Sequence, residues 1–162
     1  MRVVSVVLAL LFVGSASAAR LTVRVQGASG PVADVGLNLV TYANRHCVDL
    51  DLKPRARQSV KESNELATCR TIGAFVRTDT AGQYTYATLQ PGWYGFLLVR
   101  SLSAPPSSPI PVAADSSRYS ISLMQFGSDP LEFHVTALPF EVHADEEVVR
   151  VVDVGALRFA PR

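Results

Sequence analysis

Three histidines, two cysteines and a thin scatter of carboxylates are the side chains of this 162-residue chain that could do chemistry. His46, His134 and His143 show none of the spacings that hold a catalytic zinc, such as H-E-x-x-H. His143-Ala144-Asp145-Glu146-Glu147 could hold a cation in a turn, because clustered carboxylate oxygens suit calcium, and His46 stands near Asp49 and Asp51 in the same way. Such clusters are more often solvated surface, and no metal or other cofactor is expected. No G-x-S-x-G run presents a serine nucleophile, and the serines fall in linkers and turns. Cys47 and Cys69 are too far apart for a C-x-x-C redox pair, so the reading is a structural disulfide in an oxidising compartment. Closing a loop of that size stabilises the fold by about 3 kcal/mol on the chain-entropy model. These residues argue against an enzyme.

Binding is the chemistry left open, and the aromatics carry it. Trp93, Tyr94, Tyr84 and Tyr86 fall on two neighbouring predicted strands. Alternation sends Tyr84 and Tyr86 to one face of theirs, and Trp93 and Tyr94 to opposite faces of theirs. An exposed ring of this kind is a flat apolar plate with a polar rim, on which a sugar can stack. The same four rings could instead fill the core.

The elements that must position them are strands. Thr78 to Val99 holds two alternating segments between an Asp79…Gly82 turn and a Pro91-Gly92 turn. Asp79 can cap its turn with its carboxylate and Gly82 can take a positive φ; Pro91 pre-sets the second turn and Gly92 completes it. These four are expected to determine the fold rather than form a site. Upstream, Leu21–Gln26 alternates cleanly, and Val35, Leu37 and Leu39 mark a second strand ending near Tyr42. The stretch 43–71 is polar and breaks the pattern. It reads as an insertion pinned by the disulfide, with a short helix over Ser59–Thr68. Ile72–Arg77, Gln83–Leu89 and Trp93–Arg100 follow as strands, the last apolar on both faces as in a central strand. After a proline-rich connection over 104–111, strands are expected at Arg118–Met124, Leu131–Thr136, Phe140–His143 and Val148–Phe159. Closely spaced strands with little helix predict an all-β, antiparallel two-sheet sandwich of seven or more strands. About 140 residues are enough for one core.

Residues 1–19 read as a secretory leader, with Arg2 before an apolar core from Val3 to Val13 and the small residues Ser15 to Ala19 at a cleavage site. The apolar run falls short of the roughly 20 residues that span a bilayer. Cleavage after Ala18 or Ala19 would release residues 20–162 or thereabouts, without membrane insertion, to a bacterial periplasm or the outside. Losing Arg2 takes Lys plus Arg from 15 to 14, matching the 14 acidic residues. A neutral chain lacks the long-range attraction that nucleic acid or an anionic membrane would supply.

Val25-Gln-Gly-Ala-Ser-Gly-Pro-Val-Ala-Asp-Val-Gly-Leu-Asn-Leu39 resembles the opening of carboxypeptidase regulatory-like domains. Thr78-Asp79-Thr-Ala-Gly82-Gln-Tyr84, followed by Leu89-Gln-Pro91-Gly92-Trp-Tyr94, is similar to their T-D-x-x-G-x-[YF] and L-x-P-G-x-Y hallmarks. The resemblance covers roughly 21–99 and implies an Ig-like or transthyretin-like sandwich, also called carbohydrate-binding-like, related to collagen-binding B-type repeats. Some of those repeats join a first-strand lysine to the last strand by an isopeptide bond; this first strand carries Arg24 and no lysine. Transthyretin-like hydroxyisourate hydrolases end in Tyr-Arg-Gly-Ser, whereas this chain ends Leu157-Arg-Phe-Ala-Pro-Arg162. The resemblance implies an accessory module without catalysis. The expected role is an exported binding or scaffolding module that meets an envelope or secreted protein. The alternatives are a module for envelope or extracellular polysaccharide and, third, an accessory subunit of an exported enzyme.

Overall fold

The structure, a computed structural model, describes residues 18–104, 117–155 and 157–160. The expected leader before Ala18 and the proline-rich run after Ala104 lie outside them. The described strands are β1 (Ala19–Gly27), β2 (Gly30–Pro31), β3 (Gly36–Tyr42), β4 (Arg70–Arg77), β5 (Gln83–Leu89), β6 (Gly92–Ser101), β7 (Tyr119–Met124), β8 (Glu132–Ala137), β9 (Phe140–Val142) and β10 (Glu147–Asp153). They form two sheets that face each other across one apolar core.

In the first sheet β1 is central, with β10 on one side and β5 and β2 on the other. Its alternation is the reason. Leu21, Val23 and Val25 are fully buried, while Arg20, Arg24 and Gln26 point out. The second sheet runs β4-β3-β6-β8-β7, with β9 continuing along β6 below β8. The strand apolar on both faces, β6, sits in its middle. Pairing is antiparallel except between β1 and β10, where Arg20 to Gln26 run parallel to Glu147 to Asp153. The last strand is shorter than expected: it stops at Asp153, whose carboxylate accepts the Gly155 N–H at 2.8 Å where Gly155 turns at φ 56°.

Leu21, Leu37, Phe96, Leu98, Phe133, Val135 and Val152 meet in the core, all fully buried. Tyr119, Ile121 and Leu123 of β7 close it along one side. The segment beyond Ser101 thus pairs into the same two sheets as the first half.

The insertion is more helical than its sequence suggested. Besides α2 (Val60–Cys69), where a helix was expected, it contains α1 (Arg45–Leu52) and a single 3-10 turn at Arg55–Arg57. Asn44 caps α1 by accepting the Cys47 N–H at 2.9 Å. Ser59 and Glu62 form a reciprocal capping box at the start of α2. The Cys47–Cys69 disulfide joins the two helices, and their apolar sides close over Tyr42, Val48, Leu50 and Leu66 as a second, smaller core. This unit covers one end of the outer face of the second sheet, over Val40 and Trp93.

Candidate functional site

The four aromatic residues expected to carry binding are divided among different places. Tyr84 and Tyr86 stand opposite Val23 and Leu21 in the register, so they face the interior, their rings edge to face at 4.9 Å. Burial, with the neighbouring Tyr84 adding to it, pushes the Tyr86 phenol well above its usual range, and its oxygen is buried without a hydrogen-bond partner among the described residues. Tyr94 points into the same core, and its hydroxyl donates to the Gln90 carbonyl at 2.6 Å. Trp93, one residue away, faces the other side and packs under the insertion with the Arg45 guanidinium 4.8 Å above its ring. The four rings therefore form no common open plate. Strand alternation separates Trp93 from Tyr94, and the insertion covers the side to which Trp93 points.

The turn residues have local geometry that accounts for them. One Asp79 carboxylate oxygen accepts the N–H groups of Ala81 and Gln83, at 2.9 and 3.0 Å. Gly82 has φ 69°, and a Cβ there would come within 2.7 Å of the Val25 carbonyl oxygen. Buried Thr78 accepts the Val35 N–H and donates to the Val32 carbonyl, tying this turn to the β2–β3 connection. Gly92 is different. It opens β6, lies outside the positive-φ set, and its nearest Cβ neighbour would be 3.9 Å away. The Pro91-Gly92 corner is held instead by the Tyr94 hydroxyl reaching back to Gln90, as in the tyrosine corner of immunoglobulin-type sandwiches.

Several titratable groups are engaged in short pairs. His46 meets Glu65 and His134 meets Glu132, each at 3.1 Å. Asp51 accepts from the Tyr42 hydroxyl at 2.6 Å and from Arg70 at 2.8 Å, under the insertion. In the His143–Glu147 turn, the Glu146 carboxylate accepts the His143 N–H at 2.8 Å. Among the described residues no three His, Cys, Asp or Glu side chains come together as a metal site.

Among the described residues, the second sheet leaves a different surface open. The insertion covers only one end of its outer face. At the other end Phe75 of β4, opposite Asn38, is exposed at 53%, and Ile72, opposite Val40 at the margin of the insertion, at 59%. Beside Phe75, Gly36 faces Arg77 and Val99 across the sheet, and Ser101 faces Glu132. Here lies a cleft of about 450 Å³. Reading the strands alone could not find it: Ile72-Gly-Ala-Phe75-Val looks like an interior strand, and nothing local says that β4 is an edge.

No protein-family model and no curated protein sequence matches the chain. Two solved structures are similar to it. One is a Pseudomonas aeruginosa protein put forward as carbohydrate-binding, 11% identical over 85% of this chain and 89% of that one, with a TM-score of 0.40. The other is the shaft pilin of Lactobacillus rhamnosus GG, 14% identical, with a TM-score of 0.36; the match covers 85% of this chain and 47% of the pilin.

Proposed function

We propose that the chain is an exported, non-catalytic module of carboxypeptidase regulatory-like type that works at the cell envelope through protein contacts. The observation that supports this most is the state of β4. It is an eight-residue edge strand with one strand partner among the described residues. It carries no proline, and no charge between Arg70 and Arg77. Edge strands are ordinarily blunted by charges, prolines or cover. The one such device here is a bulge, where Gly73 and Ala74 together oppose Leu39. A partner's extended segment could add to this edge through its backbone, with Ile72 and Phe75 supplying apolar contacts.

Export fits the start of the fold. Ala19 is fully buried and pairs with Leu89, so cleavage after Ala18 preserves the whole of β1. The mature protein from native cells is expected to begin at Ala19, and Edman or mass analysis showing Met1 overturns export. The contact itself is tested by placing a photo-crosslinking residue at Thr71 or Ala74, with exposed Ala87 of β5 as control. One envelope protein captured at both β4 positions and not at Ala87 supports the reading. Equal capture at all three, or none, refutes it.

A second reading, a module for envelope or extracellular polysaccharide, gains support from exposed Phe75 rather than from Trp93 and the tyrosines.

A further inference from the structure

The open end of the second sheet is shaped as a trough with a floor of small groups and two unlike walls. Gly36 has no side chain, and the Phe75 ring occupies the space a Cβ there would take. The ring thus leans over β3 toward Val99 of β6, with the Arg77 guanidinium 4.9 Å from its centre. Across the floor stand Ser101 and Glu132. With β3 and β6 between them, the backbones of β4 and β8 lie three strand spacings, roughly 14 Å, apart. At about 450 Å³ the cleft falls in the lower part of the range for small-molecule sites.

Its polar groups are already held in place. Glu132 is oriented by His134 at 3.1 Å, and Arg77 by Asp34 at 3.3 Å. Arg100, at the end of the trough, donates to the carbonyls of Ala33 and Ala160. A carboxylate on one wall opposes an anion, and the Arg77 guanidinium on the other opposes a cation. A neutral polyol suits both, because its hydroxyls donate to Glu132 and accept from Arg77 while its C–H face lies on an aromatic ring.

We infer that this trough, walled by Phe75 with Arg77 and by Glu132 with Ser101, binds a neutral hexopyranose unit of a polysaccharide. The inference rests on the polysaccharide reading above and gives it a site; it is independent of strand addition at β4.

The test is titration of ¹⁵N-labelled mature protein with cellohexaose, maltohexaose and mannohexaose, with hexagalacturonate as the acidic contrast. The expected result is saturable binding of at least one neutral oligomer, with shifts centred on Gly36, Phe75, Val99 and Ser101. Phe75→Ala and Glu132→Gln should each weaken it about tenfold, the scale of one lost stacking or charge-assisted contact. Phe75→Tyr should retain it. Phe75 is half exposed, so an unchanged melting curve separates lost binding from lost folding. Neutral-sugar binding with shifts around Trp93 instead keeps the polysaccharide reading and overturns this site. Tighter binding of hexagalacturonate overturns the assignment to a neutral sugar. No response to any neutral oligomer overturns both the site and the reading.

Discussion

Between the sheets, fully buried Phe96, Phe133, Leu21 and Leu98 meet one another, and Phe96 lies within 6.1 and 6.3 Å of the Tyr119 and Phe140 rings. Under the insertion the buried set is Cys47, Val48, Leu50 and Leu66 with Tyr42 of β3, surrounded by a disulfide, two helix caps and the Tyr42–Asp51–Arg70 network. The sandwich is large enough to be held by apolar burial, the dominant favourable term in folding. The insertion buries too little for that, and covalent and polar devices hold it to the sheet. The two regions should therefore fail under different insults.

The largest effect is expected from Phe133→Ala, which removes a fully buried ring from the sandwich and should cost about 3–5 kcal/mol in urea unfolding. Loss of both sheets in one transition is the expected signature; selective loss of the helices would contradict the division. Replacing Cys47 and Cys69 with serine should cost about 3 kcal/mol. Hydrogen exchange should then accelerate in α1 and α2 while β1 and β6 stay protected, and equal acceleration everywhere would mean one cooperative unit. Tyr94→Phe keeps the ring and removes the hydroxyl bond to Gln90, so about 1 kcal/mol is expected, seen as a lower melting temperature with unchanged helix content.

Acid should act first on the insertion, and by the least. The Lys53 ammonium beside Glu62, with the Ser59 backbone N–H and hydroxyl adding to it, holds this carboxyl down at about 2, from an ordinary 4.5. A depressed folded value means the stabilisation is present above 4.5 and disappears as pH falls toward 2. The 222 nm helix signal should weaken over that window before the strand signal changes, and Glu62→Gln should abolish the early phase. Alkali works in the opposite sense on Tyr42. Its burial, then its bond to and the charge of Asp51, raise the phenol above the usual 10, so that contribution is lost as pH climbs past 10.

The strands were legible where one face is wet. Leu21, Val23 and Val25 announce β1, and Tyr119, Ile121 and Leu123 announce β7, because alternation encodes which face is buried. The disulfide was legible from two cysteines and the expectation of an oxidising compartment. Neighbour relations were not, since side-chain period says nothing about which strand lies alongside. Hence the parallel match of β1 with β10 and the edge position of β4 are tertiary facts, and with them the exposure of Phe75. Trp93 shows the same limit: alternation assigned it a face, and only the fold of residues 43–71 shows that this face is covered. Helix α1 went unseen because its eight residues carry a weak pattern, although Asn44 three residues before Cys47 was a readable cap.

The parallel pairing of β1 and β10 has a mechanical consequence. A pull applied at Ala19 and at Asp153 draws two adjacent strands past each other along their length. The ladder from Arg20–Glu147 to Gln26–Asp153 is then loaded in shear, all its bonds at once, instead of being peeled open singly from one end. Under tension along the chain the sandwich would behave as a stiff link, yielding only when the whole ladder gives way together.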